Sequence, residues 1–181
     1  MPNFVALLRG VNVGKAKRLP MAELRALLSD LKYTSVATLL NSGNAVFHAS
    51  KGTPAKLAAD IAAAISGRFK LDVPVIVKSE AELAAIIAEN PITADELDHS
   101  RYLVIFAQDT SSLADLAAIE SLVVPPERFL LGKNAAYLLC ASGILGSKAG
   151  EALLGKVGKF VTTRNLATTL KLNALANECD A

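Results

Sequence analysis

Apolar residues recur along the chain in two spacings. Short continuous runs mark strands covered on both faces, and recurrences at i, i+3 and i+4 mark helices. Phe4-Val5-Ala6-Leu7-Leu8 is the first such run, and it stops at Arg9. Met21, Leu24, Leu27, Leu28 and Leu31 then share one face of a helix predicted over 20–31, with Pro20 in its first turn. Lys32 follows at the position where glycine usually closes a helix in the left-handed conformation. Strands are predicted over 35–40 and 45–49, joined by Asn41-Ser42-Gly43-Asn44, whose residues suit a tight hairpin turn. Thr53 caps and Pro54 opens the next helix, which buries Leu57, Ile61 and Ile65 and ends at Ser66-Gly67. A short strand over 73–77 completes the order β-α-β-β-α-β, which is the ferredoxin-like plait.

The same grammar then returns. Ser79 and Glu82 form a capping box for a helix with Leu83, Ile86 and Ile87 on its buried side, stopped by Asn90-Pro91. The acidic stretch 92–100 reads as a connection. Beyond it come a strand over 102–107, a helix over 113–122 capped by Ser111 or Ser112, and Pro125-Pro126. Strands over 129–131 and 136–140 flank Gly132-Lys133-Asn134, and a helix runs from Ser147 to about Val157. The tail Phe160-Val161-Thr162-Thr163-Arg164-Asn165 is read as the capped start of a last helix reaching about Cys179. Phe4-Val5-Ala6-Leu7-Leu8 aligns with Tyr102-Leu103-Val104-Ile105-Phe106, and Gly43-Asn44-Ala45-Val46-Phe47 with Lys133-Asn134-Ala135-Ala136-Tyr137. The expected fold class is therefore α+β, an internal duplication of two ferredoxin-like plaits packed together, with a C-terminal helix. The expected division is a first subdomain at 1–78, a helix and acidic connection at 79–100, and a second subdomain with the final helix at 101–181. One larger mixed sheet with the same local elements is the alternative.

Composition narrows the classes. The chain has 181 residues, 52% of them apolar. No window approaches the roughly 18–20 uninterrupted apolar residues of a membrane span, so no membrane partner is expected. Met1-Pro2-Asn3 lacks the basic patch and cleavage site of a signal peptide, which leads to a cytoplasmic expectation. Cys140 and Cys179 suit neither a disulfide framework nor a zinc site and are expected as free thiols. A net charge of +2 hides an uneven distribution. Glu80 to Asp98 holds six acids and no base, whereas Ser142 to Asn177 holds five bases against Glu151 alone.

Candidate chemistry gathers in the loop after the first apolar run. Gly10 and Gly14 admit left-handed backbone, Asn12 tolerates it, and such loops expose N–H groups. Arg9, Lys15, Lys17 and Arg18 add positive charge, and no acid precedes Glu23, so the local field favours an anion. The loop is not a nucleotide-binding P-loop. That pattern needs four residues between its glycines and Ser or Thr after the lysine, and here there are three and Ala16. Lys15 and Lys17 also fit a merely solvated connection, whereas Arg9, at the end of a buried strand, is costly to desolvate without a partner. Thr162, Thr163 and Asn165 beside Arg164 would place free N–H groups at a helix start, a setting that holds anions or is simply capped.

Three pieces, Leu7-Leu8-Arg9-Gly10-Val11-Asn12-Val13-Gly14, Asn41-Ser42-Gly43-Asn44-Ala45-Val46-Phe47 and Thr162-Thr163-Arg164-Asn165, in this order and at these intervals, resemble an uncharacterised bacterial family, domain of unknown function 1697. The resemblance covers essentially the whole chain and implies a two-part α+β protein with ferredoxin-like subdomains; it implies no activity. Members commonly carry glycine where Lys32 stands and an aromatic residue, usually tryptophan, where Leu166 follows Asn165. If that ring helps close a site, the site in this chain is looser.

The reading that follows is a protein binding a small anion, phosphorylated or nucleotide-like, at the junction of the two plaits. Its candidate residues are Arg9, Asn12, Lys15, Asn41, Ser42, Asn44, Thr163, Arg164 and Asn165. The competing readings are a nucleic-acid-binding module, which the 5% aromatic content supports weakly, and an interaction protein with no small ligand. His48 and His99 stand in no catalytic context beyond the pair Asp98-His99, and the carboxylates from Glu80 to Asp98 lack metal-ligand spacing. No catalytic residue, metal or cofactor is assigned, and the oligomeric state is open.

Overall fold

In the computed structural model, which describes residues 2–91 and 98–178, the first apolar run becomes β1 (Asn3–Leu8). It is followed by α1 (Met21–Asp30), β2 (Thr34–Leu39), β3 (Asn44–His48), α2 (Pro54–Phe69) and β4 (Val75–Ser79). The strands form an antiparallel sheet in the order β2-β3-β1-β4, the ferredoxin-like arrangement. β1 is hydrogen-bonded on both edges, and all six of its residues are buried. Phe4, Ala6 and Leu8 pack with Leu24 and Leu28 of α1 and Ile61 and Ile65 of α2, while the buried Asn3 amide donates 2.8 Å to the carbonyl of Ala176. Burial of both faces is why the run shows no alternation.

α1 closes as expected, and in a strained way. Lys32 sits at φ 69, its N–H donates to Ser29 O, and the N–H of Tyr33 donates to Leu28 O. These two bonds are a Schellman closure with lysine in the glycine position. A left-handed L-residue costs about 1–2 kcal/mol, and glycine's extra freedom in the unfolded chain offsets part of that. Lys32→Gly is therefore expected to stabilise the protein by about 0.5–1 kcal/mol, raising its melting temperature by a few degrees. A calorimetric scan showing a lower melting temperature would contradict this account.

The remaining elements are α3 (Glu80–Glu89), β5 (Tyr102–Ala107), α4 (Thr110–Ala114), a 3₁₀ run (Asp115–Leu122), β6 (Arg128–Leu131), β7 (Ala136–Leu139), α5 (Lys148–Leu154), β8 (Val161–Asn165) and α6 (Leu166–Glu178). Their sheet has the order β6-β7-β5-β8, the same permutation as the first. Contacts divide the chain into two compact units, Met1–Leu83 with Leu172–Ala181, and Ala84–Lys171. The capping box at Ser79 and Glu82 forms as expected, with the Glu82 carboxylate 2.7 Å from Ser79 N and Ser79 Oγ accepting from Glu82 N. Residues 92–97 of the acidic connection, and Cys179, lie outside the described residues.

Three local expectations are corrected. The segment Val161–Asn165 is a strand, paired to β5 in the register Ala107↔Val161 to Leu103↔Asn165, rather than the first turn of a helix. It supplies the closing strand that the second plait lacked in the sequence reading. The helix expected over 113–122 is a single α-turn continued as 3₁₀, and Asp109 caps it: its carboxylate accepts from Ser112 N at 2.7 Å, a stronger acceptor than the Ser111 or Ser112 hydroxyl. α5 stops at Leu154, where the N–H of Gly155 turns back to Glu151 O and Ala152 O.

Candidate functional site

The register of the first sheet places three connections at one end. Leu7 pairs with Asn44 and Leu8 with Val75, so the loop after β1, the β2–β3 hairpin and the entry to β4 lie together. Leu8 N–H donates 2.8 Å to Gly43 O and Arg9 N–H 2.9 Å to Pro74 O, which holds the strand until Arg9. The chain then leaves through Gly10 (φ 70), Asn12 (φ 55), Gly14 (φ 62) and Lys17 (φ 49), four left-handed residues in one loop. Two of them are glycines, so the coil is cheap at those positions and strained at the others.

Asn12 holds that coil. Its backbone N–H donates 3.1 Å to Lys17 O, and its side-chain Oδ1 accepts from Leu19 N at 2.9 Å. Its Nδ2 donates to Leu19 O at 2.8 Å and to Asn41 O at 2.7 Å, tying the loop to itself and to the hairpin tip. Asn44 does the same inside the hairpin. It is fully buried, and its Nδ2 donates to Leu39 O at 2.9 Å and Ser42 Oγ at 3.0 Å. Asn12, Asn41, Ser42 and Asn44 are thus brought together, with the Asn12 and Asn44 amides and the Asn41 carbonyl bonded within the frame. Lys17 Nζ reaches Asp72 O at 2.6 Å. Lys15, Arg18, Gly10 and Gly14 remain exposed on the loop, with Arg9 half-buried at its base, where desolvation lowers its pKa.

The other predicted residues belong to the second unit. Arg164 is buried on β8 opposite Val104, and its Nη1 donates 2.9 Å to Thr162 Oγ1 and 2.7 Å to Thr163 O. Desolvation brings its pKa down to about 10, which leaves it charged at neutral pH. Asn165 Oδ1 caps α6 by accepting from Thr168 N at 2.8 Å, and its carbonyl accepts from the Thr169 hydroxyl.

Two features escape the sequence. Glu89, at the end of α3, presents its carboxylate to the β6–β7 turn: Lys133 N donates at 2.7 Å, Asn134 N at 3.0 Å and Asn134 Nδ2 at 3.3 Å. The Tyr137 hydroxyl lies 2.9 Å from it and 2.7 Å from Ile86 O. Partial burial by itself would raise the Glu89 pKa, but the N–H donors of Asn134 and Lys133 and the Tyr137 hydroxyl outweigh it, and the value is lowered. Burial and the neighbouring carboxylate push the Tyr137 phenol up. The second feature is a cavity of about 750 Å³ at the other end of the first sheet, between the end of α1, the β3–α2 link and the first turns of α2. Asn3↔His48 and Thr34↔His48 fix that end, about 20 Å along the chain from Arg9 at the usual strand rise.

Among the described residues no group of three His, Cys, Asp or Glu side chains is placed to hold a metal ion, and no helix is long and apolar enough to cross a membrane.

Two four-stranded antiparallel sheets, each in ferredoxin-like order, with helices and a C-terminal helix, define a two-part α+β protein. The model of the protein family of unknown function DUF1697 matches residues 1–137, and the chain belongs to that family. Among solved structures it is similar to the conserved bacterial protein SP0830 from Streptococcus pneumoniae, with a TM-score of 0.77 over 97% of this chain and 98% of the other, at 23% identity. That is a likeness of fold. No curated protein matches the chain.

Proposed function

We propose that the chain binds a small phosphorylated or nucleotide-like anion on the basic loop of its first unit. The carrying observation is the loop itself. Its left-handed coil is fixed by the Asn12 amide, it presents Lys15 and Arg18 to solvent above the half-buried Arg9, and no acid lies within it. A frame held by internal bonds spares the ligand the cost of ordering it, and left-handed residues spaced through a loop let its backbone N–H groups converge on an anion.

In this reading Arg9, Lys15 and Arg18 contact the ligand, while Asn12, Asn41, Ser42 and Asn44 shape the loop. Thr163, Arg164 and Asn165 remain a second candidate group. A thermal-shift panel of inorganic pyrophosphate, sugar phosphates and nucleotides checks the proposal. A true ligand at about a hundred times its Kd adds roughly 2.7 kcal/mol, a rise of about 5–10 °C for a chain of this size. The Arg9→Ala, Lys15→Ala, Arg18→Ala variant is expected to lose most of that rise. Equal shifts in both proteins, or none in either, refute the site.

A further inference from the structure

The cavity at the far end of the first sheet is built unlike the basic loop. Its walls are apolar, formed by Leu31, Leu57 and Ala64 and by the ring of Tyr33. That ring is half-buried and stacked on Phe47 with centroids 4.6 Å apart, so its orientation is fixed. A volume of about 750 Å³ lies within the roughly 300–1,000 Å³ of small-molecule sites.

The rim carries an excess of positive charge. Lys32, Lys51 and Lys56 line it against the single acid Asp60, and Lys56 is paired with Asp60. Among the described residues neither Lys32 nor Lys51 is paired with a carboxylate. Lys32 also reaches the rim from a left-handed backbone that glycine would hold at lower cost. An apolar floor with two uncompensated ammonium groups at its edge suits a guest that is greasy at one end and anionic at the other.

We infer that this cavity is a second binding site, for a small aromatic carboxylate. The arene lies against Tyr33, Leu57 and Ala64, and the carboxylate meets Lys32 and Lys51. Flat aromatic faces pack well on the ring of Tyr33, and the rim charge selects against a cation of the same shape. The inference is independent of the anion proposed for the basic loop, because the two sites lie at opposite ends of the sheet.

Titration of the ¹⁵N-labelled full chain with 2-naphthoate tests it. The expected result is saturable shifts of the amides of Lys32, Tyr33, Lys51, Gly52 and Ala64, with 2-naphthylmethylamine binding at least about tenfold more weakly. The Lys32→Glu, Lys51→Glu variant, changed only at exposed positions, should lose at least about tenfold in affinity. Ala64→Phe, checked for folding by its melting curve, should abolish binding, and Arg9→Ala should leave it unchanged. No saturable shift at millimolar 2-naphthoate, equal binding of the amine, undiminished affinity in the charge-reversed variant, or shifts centred on residues 9–18 would each overturn the inference. The last outcome would place the arene on the basic loop instead.

Discussion

Gly43→Ala is expected to cost the first unit about 3 kcal/mol, read as a drop in urea midpoint. Two independent penalties meet at this residue. Gly43 adopts φ 83, where an L-residue is strained by about 1–2 kcal/mol. A Cβ added there would also lie 2.6 Å from both Leu8 Cβ and Val11 Cγ2. Leu8 Cβ is fixed by the strand backbone, so the clash cannot be relieved by rotating a side chain, and overpacking of this kind adds about 1–3 kcal/mol. The neighbouring glycines provide the contrast. Gly10 and Gly14 share the left-handed angle, but nothing lies within 4 Å of an added Cβ at either, so alanine there pays the backbone strain alone. Equal losses at Gly43 and Gly14 would show that the hairpin tip yields, and that the loop after β1 is not braced against it. A smaller amplitude of ligand-induced shift in Gly43→Ala would then have no structural source.

How far the sequence reaches depends on how far apart the partners are. The all-apolar runs announce central strands because burial on two faces leaves no room for polar alternation, and β1 and β5 bear this out. Local closures are equally legible: Lys32 in a Schellman position and Ser79 with Glu82 in a capping box need only residues within one turn. β8 was hidden because Val161, Thr162 and Thr163 can serve either as strand residues or as caps, and the pairing with β5, more than fifty residues away, decides. The asparagines were legible as turn formers. That Asn12 bonds to Leu19 and Asn41, and Asn44 to Leu39, follows from the tertiary arrangement, which is why both read as open donors in the sequence. The cavity belongs to no motif, since its wall is shared by α1, α2 and the link between β3 and α2.

Glu89 shows the same limit and carries the other large prediction. Its partners Lys133 and Asn134 lie 44 and 45 residues along the chain, and nothing in either segment names the other. Hydrogen bonds to a charged group contribute about 1.5–3 kcal/mol, and water at the open side of this carboxylate screens part of that. Glu89→Ala is therefore expected to destabilise the protein by about 2 kcal/mol at pH 7, with Glu89→Gln losing less because its amide oxygen still accepts. Tyr137 keeps the Ile86 carbonyl in both variants, so no buried phenol is orphaned to inflate the loss. The pH dependence separates charge from shape. The folded pKa of Glu89 is depressed, so its contribution is present above the unfolded value near 4.5 and disappears as the pH falls through the folded value. The gap between wild type and Glu89→Ala, measured by urea unfolding, should narrow steadily below about pH 4.5. A gap that stays constant into that range would mean that the turn is held by packing around Gly132, where an added Cβ would lie 2.5 Å from the carboxylate, and not by the carboxylate's charge.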